Sequence, residues 1–193
     1  MSIELGRELD CGERVVKRII IYLILMLRAF TMSGLSFAED GRQKEISADV
    51  IRSGCSVLFS THPHPYLDDP LSSAPIDVIA SWRCLDGENL PIDKYEINGV
   101  SPEIVTVFFW RDSSIVVLVR WSINSLAADY VGNYYKVFIY KYLKDNHQFV
   151  VGDEAMKGFP AGWDGRTKSG VRVRYPFKDA ASIKRRFAAM GFE

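Results

Sequence analysis

Catalytic signatures are missing from this sequence. The 193 residues include only three histidines and three cysteines. They contain no Gly-x-Ser-x-Gly elbow and no His-Glu-x-x-His pair. A hydrolytic nucleophile needs a base in reach, and the sequence offers no spacing that supplies one. Phosphate-cradling glycine loops, calcium-binding loop spacing, Asn-x-Ser/Thr acceptors and internal repeats are absent as well. Net charge is absent too, with 24 basic against 24 acidic side chains. That balance argues against nucleic acid as a partner, because such domains carry a net basic footprint. No cofactor is implied.

The longest apolar run is short. Ile19–Leu27 reads IIIYLILML, and Arg28 interrupts it. A membrane-spanning helix needs about 20 apolar residues, so the run does not span. Arg14, Lys17 and Arg18 precede it, and Ser36-Phe37-Ala38 follows. Positive charge, an apolar run and small residues at −3 and −1 make the layout of a signal peptide. The expectation is a signal peptide over residues 1–38, cleaved after Ala38, and a single mature domain over 39–193. The leader is long and carries Glu4, Glu8, Asp10 and Glu13, so an uncleaved anchor is the alternative. With no further sorting signal, the expected location is the periplasm, or else the medium.

Export bears on the cysteines. Cys11 lies in the leader, which leaves Cys55 and Cys84 as the pair in the mature chain. In an oxidising compartment two such cysteines are natural disulfide partners. The alternative is two buried thiols.

What is present is globular. Apolar residues make up 48% and charged residues 25%, which is ordinary for a folded domain. The neutral total hides an asymmetry. Residues 39–103 hold 12 acids against 5 bases, and residues 157–186 hold 9 bases against 2 acids. Either the two segments intermingle and cancel, or the folded surface is polarised and steers partners.

The pattern predicts an α+β domain with an antiparallel sheet of about 5–7 strands. A short N-terminal helix over 46–51 and a C-terminal amphipathic helix are expected to pack on it. Cys55–Ser60 and Ile76–Cys84 read as strands, and four prolines make 61–75 a loop. Ile104–Trp110 is apolar on both faces, as expected of a central strand, and forms a hairpin with 115–121. Tyr134–Tyr142 and Gln148–Val151 follow as strands, Gly158–Gly170 as a glycine-rich loop, and Val171–Tyr175 as a last strand with a basic face. Asp179 is placed to cap the final helix, with Ile183, Phe187 and Met190 on its inner side.

Three groups of residues are candidates for function. His62, His64, Asp68 and Asp69 combine imidazole and carboxylate in one segment, as a zinc site would need, or they are the polar residues of a solvated loop. Asp129, Asp153, Glu154 and Asp164 are candidates for a glycoside-cleaving carboxylate pair. Third comes a surface rich in aromatics and arginine: Tyr134, Tyr140 and Tyr142 from one strand, Trp163 and Arg166 from the loop, and Arg172 and Arg174 from the last strand. Tyr and Arg dominate interface hot spots. Were a helix to cover the aromatic row, it would be core instead. The reading that follows is an exported, non-enzymatic protein whose partner is another protein. It would act as an inhibitor, or as an immunity protein neutralising an envelope-targeted toxin. Its loops 61–75 and 158–170, or its acidic half, would plug the partner's active site. The alternative is an envelope hydrolase, metal-dependent or glycan-acting.

Overall fold

A computed structural model describes residues 43–64, 74–124 and 129–192. Residues 1–38, Asp68 and Asp69 lie outside the described residues. The chain runs β1 (Gln43–Ser47), β2 (Cys55–Pro63), β3 (Ile76–Cys84), β4 (Asn89–Tyr95), β5 (Pro102–Trp110), β6 (Ser114–Ile123), β7 (Tyr130–Leu143) and β8 (Gln148–Val151). A one-turn helix α1 (Asp153–Met156) precedes β9 (Gly162–Thr167), β10 (Arg172–Val173) and the final helix α2 (Ala180–Ala189). The fold is α+β, mostly antiparallel sheet. Two sheets form instead of one, and every strand pairing is antiparallel.

The first sheet has the order β1-β2-β3-β4, and the second β10-β9-β7-β6-β5 with β8 also on β7. Alternation along β6 explains how they stack. Ile115, Val117, Val119 and Trp121 face the first sheet, where they meet Val57, Phe59, Ala80 and Trp82. Val116 and Leu118 face the other way, onto Phe159, Ile183 and Phe187. A strand buried on both faces reads as a continuous apolar run, which is why SIVVLVRWSI carries no clean period of two. The molecule thus has three layers, sheet on sheet on helix. Helix α2 begins at Asp179, whose carboxylate accepts from the Ser182 N–H at 2.6 Å, while the Ser182 hydroxyl returns to the Asp179 carbonyl at 2.8 Å.

Several expectations are corrected. Residues 46–51 form no helix: Ile46 and Ser47 end β1, and 48–54 is a turn closed by the Ala48 N–H on the Cys55 carbonyl at 2.8 Å. The turn feeds β1 back onto β2, and its buried residues, Ala48 and Ile51, join the core between the sheets. Ile104–Trp110 lies in an edge strand, not a central one. Its two apolar faces come from having a layer on each side. Gly162–Thr167, inside the expected glycine-rich loop, is strand β9. The last strand is only two residues long.

The disulfide joins Cys55 to Cys84. They sit opposite each other at one end of the β2–β3 ladder. Among the described residues no helix is long and apolar enough to cross a membrane.

Candidate functional site

The two faces of β7 meet two different layers. Tyr135, Val137 and Ile139 point at α2. The alternate row, with Tyr134, Phe138, Tyr140 and Tyr142, faces the other way. That row is core, covered by the first sheet rather than by a helix. Tyr140 is 1% exposed and Tyr142 3% exposed. Tyr140 donates to the Asp93 carboxylate and accepts from the Tyr95 hydroxyl at 3.1 Å, and Tyr142 stacks on Trp82 with ring centroids 5.3 Å apart. Burial pushes the Tyr140 phenol far above its ordinary range. Both residues are therefore withdrawn as contact candidates: their large apolar rings fill the space between two sheets.

The remaining candidates do converge, at the β10 end of the second sheet. Trp163 lies opposite Tyr134 in register. Its ring stacks on Tyr130, 4.7 Å away and 9° from parallel, and touches Tyr134 at 5.2 Å. Tyr134 in turn meets Trp121 at 5.9 Å. Four rings thus run outward from buried Trp121 to half-exposed Tyr130 and Trp163. Gly132 lies between Tyr130 and Tyr134 and directly opposite Gly165. A Cβ on either glycine would run into the backbone of the facing strand, and Gly132 has φ of +141°. The close approach needs two glycines, and the Trp163 ring spans the gap they leave. Those glycines are also why the sequence reads here as loop.

The arginines occupy the other face of the same edge. Arg166 is opposite Val131 and directly opposite Arg172 across β9–β10. Arg166, Arg172 and Arg174 are all exposed. Like charges facing each other across strands are destabilising. The acid on the same face of β9 is committed elsewhere: Asp164 accepts from Lys178 Nζ at 3.0 Å with both oxygens and from the Tyr175 N–H at 3.2 Å. Burial raises the Asp164 pKa, but Lys178 and the Tyr175 N–H outweigh it and hold the carboxyl below its ordinary value, with Arg172 adding to the pull. Among the described residues Arg166, Arg172 and Arg174 form no ion pair.

This edge belongs to a wider polarity. The acid-rich segment builds the first sheet, and the base-rich segment builds β9, β10 and the helix layer on the opposite side. No ion pair among the described residues links the two segments. Acids of the first sheet are answered within it or by the β7–β8 hairpin, not by the base-rich segment. Asp77, 1% exposed, accepts from Lys94 at 2.8 Å and lies 3.3 Å from His64. Glu88 takes Arg52 at 2.7 Å, Trp82 Nε1 at 3.0 Å and His147 at 2.6 Å.

The other candidates are dispersed. His62 sits near the end of β2 opposite Asp77, to which His64 is drawn as well. Among the described residues no three His, Cys, Asp or Glu side chains gather as a metal site would need. Of the four carboxylates, Glu154 is paired with Lys157, Asp164 with Lys178, and Asp153 and Glu154 rim an open cleft of about 660 Å³ beside Trp110 and Phe187. Asp129 does not line that cleft.

No family model, curated protein or solved structure matches this chain.

Proposed function

We infer that the mature chain is a small exported protein, located in the periplasm or medium, that acts by protein–protein contact. An inhibitor or an immunity protein that occupies an envelope-targeted toxin is the type of activity meant. The observation that carries this reading is the Arg166–Arg172 pair. Two arginines held face to face on an edge strand, with Arg174 beside them, weaken the fold unless an anionic surface answers them. Trp163 and Tyr130 lie on the opposite face of the same strand pair and stay outside the arginine surface. The partner this face suits carries clustered carboxylates.

Export is tested first. Full-length protein expressed in a Gram-negative host should accumulate in the periplasm, begin at Glu39 and weigh about 2 Da less before reduction than after, the mass of two hydrogens lost in one disulfide. A cytoplasmic species retaining residues 1–38 would remove the basis for an envelope partner. Contact is tested by cross-linking in envelope extracts. The native protein should capture one partner in a salt-sensitive manner, and an Arg166→Glu/Arg172→Glu variant should lose it by more than tenfold while keeping its circular dichroism. Equal capture by both would reject the arginine edge.

A further inference from the structure

Helix α2 covers only part of the second sheet, and the cleft of about 660 Å³ lies beyond its last turn. Register places Trp110 opposite Ser114 and Ser114 opposite Lys141, so one row across three strands lines it, together with Ile139. One border is aromatic. Phe187 stacks on Trp110 at 4.9 Å, Phe192 meets Phe187 at 6.1 Å, and Trp110 Nε1 donates to the Phe192 carbonyl at 3.1 Å. The other border is the segment Gly152 to Ala155. It is pinned to the sheet: the Gly152 N–H donates to the Ile139 carbonyl at 2.8 Å, and a Cβ on Gly152 would come within 3.1 Å of the Ile139 side chain. Charges of both signs line this cleft without meeting. Arg111 and Lys141 are exposed cations, Asp153 is an exposed acid, and none of the three has an ion pair among the described residues. Glu154, beside Asp153, is neutralised by Lys157. Arg111 is held in the left-handed region, with φ of +52°, where glycine or asparagine is the usual residue. Strained backbone of this kind collects at ligand sites.

We propose that this cleft binds a short apolar peptide with both of its ends free. The charges specify the occupant. Cations and an acid that line one cleft and do not pair match a ligand whose own charges are separated by an apolar body. The peptide carboxylate goes to Arg111 and Lys141, its ammonium to Asp153, and its side chains to Trp110, Phe187 and Phe192. An amphipathic anion would leave Asp153 unanswered, and an amphipathic cation would leave two basic groups facing it. A zwitterion answers both signs. The space falls within the range of small-ligand clefts, about 300–1,000 Å³. This site shares no residue with the arginine edge, so neither reading depends on the other.

Titrating Leu-Leu and Leu-Leu-Leu into the isotope-labelled full chain, as it accumulates in its host, tests this by nuclear magnetic resonance. At least one of the two should bind with a Kd of about 0.1–1 mM, as expected of so small a ligand in an open site. The shifted amides should centre on residues 110–114, 139–141 and 152–155. Acetylating the peptide amine, or amidating its carboxylate, should weaken binding about tenfold, because each removes a charge-assisted hydrogen bond. Asp153→Asn should weaken the free peptide by the same factor and leave the acetylated one unchanged. Arg111→Gln/Lys141→Gln should weaken the free peptide and leave the amidated one unchanged. Unchanged binding of a blocked peptide also shows that the variant is folded. No binding of either peptide at up to about 10 mM, or shifts centred elsewhere, would overturn the proposal. An acetylated peptide that binds as well as the free one would overturn it too, by making the occupant an amphipathic anion.

Discussion

The two interfaces of this molecule are held by different physics. Between the sheets, apolar packing is reinforced by polar groups that cross the boundary, Tyr140 to Asp93, Tyr142 and Arg52, Trp121 to the Glu96 carbonyl, and the disulfide ties β2 to β3 within the first sheet. Between the second sheet and α2 there is no covalent tie, and the contact is a cluster of rings: Trp110 and Phe187 stacked at 4.9 Å, Phe159 and Phe187 edge to face at 4.9 Å, Tyr135 and Tyr175 parallel at 5.3 Å. Within that cluster the Tyr175 hydroxyl is buried and has no hydrogen-bond partner among the described residues. The acidic layer is thus cross-linked, and the basic layer rests on shape. The second should open first, and the surface proposed to bind lies along it.

Truncations measure that difference. Phe187→Ala removes the ring on which Trp110, Phe159 and Phe192 converge, and should cost about 3–5 kcal/mol, read from urea unfolding. Replacing both Cys55 and Cys84 with Ala frees a loop closed over 29 residues, and should cost about 3–4 kcal/mol in the chain-entropy model. If the layers open separately, Phe187→Ala will deprotect α2 amides to hydrogen exchange before those of β2 and β3, and the cysteine variant will do the reverse. Equal deprotection everywhere would mean that the layers unfold as one unit.

Acid should weigh most on the first sheet, whose Asp77 and Glu88 carboxyls are more buried than that of Asp164 in β9. The Lys94 hydrogen bond outweighs burial, and with the Ile97 N–H holds the Asp77 carboxyl below its ordinary 3.8. Burial alone would raise Glu88, but His147, Trp82 and Arg52 together keep it below 4.5. A depressed carboxyl adds stability that is present above its unfolded pKa and lost as pH falls through the folded one. The first sheet should therefore hold its stability down to about pH 4 and lose it below. Asp77→Asn should flatten that acid limb. An unchanged limb in this variant would shift the acid sensitivity to Glu88. The cap of α2 contributes less: Asp179→Ala should cost about 1 kcal/mol, visible as a loss of helical ellipticity on warming.

Much of this architecture was legible where one local signal sufficed. β3 and β8 fall where alternation and turn residues put them, Asp179 caps where its spacing says, and Cys55 pairs with Cys84 as the leader-like start of the chain suggested. What was hidden depends on distant partners. TVFFW has the composition of a central strand because two layers flank it, and nothing local reveals that its third side is open. β9 hides behind Gly162 and Gly165, and the purpose of Gly165 appears only beside Gly132. β4 hides behind Pro91 and the bulge where it meets β3. Tyr140 and Tyr142 have the look of a contact surface until a second sheet is laid over them. Of the contact candidates, Tyr134, Trp163, Arg166, Arg172 and Arg174 gather at one edge because β10 folds back on β9, a pairing of two residues that no periodicity records.

The smallest effect bears most directly on why that edge exists. A cross-strand pair of opposite charge contributes roughly 0.2–1 kcal/mol, and a like pair costs a similar amount. Arg172→Glu replaces the second with the first, and what it gives up is the attraction of Arg172 for the Asp164 carboxylate, which Lys178 already holds at 3.0 Å. The substitution should therefore stabilise the fold by a few tenths to about 1 kcal/mol. The gain should shrink in about 1 M salt, where the Debye length is near 3 Å. The same variant should bind its partner more weakly. A protein that becomes more stable as it loses its contact carries the arginine for the contact. If Arg172→Glu instead destabilises the domain, the arginine serves the structure of β10, and the basic edge no longer marks a binding surface.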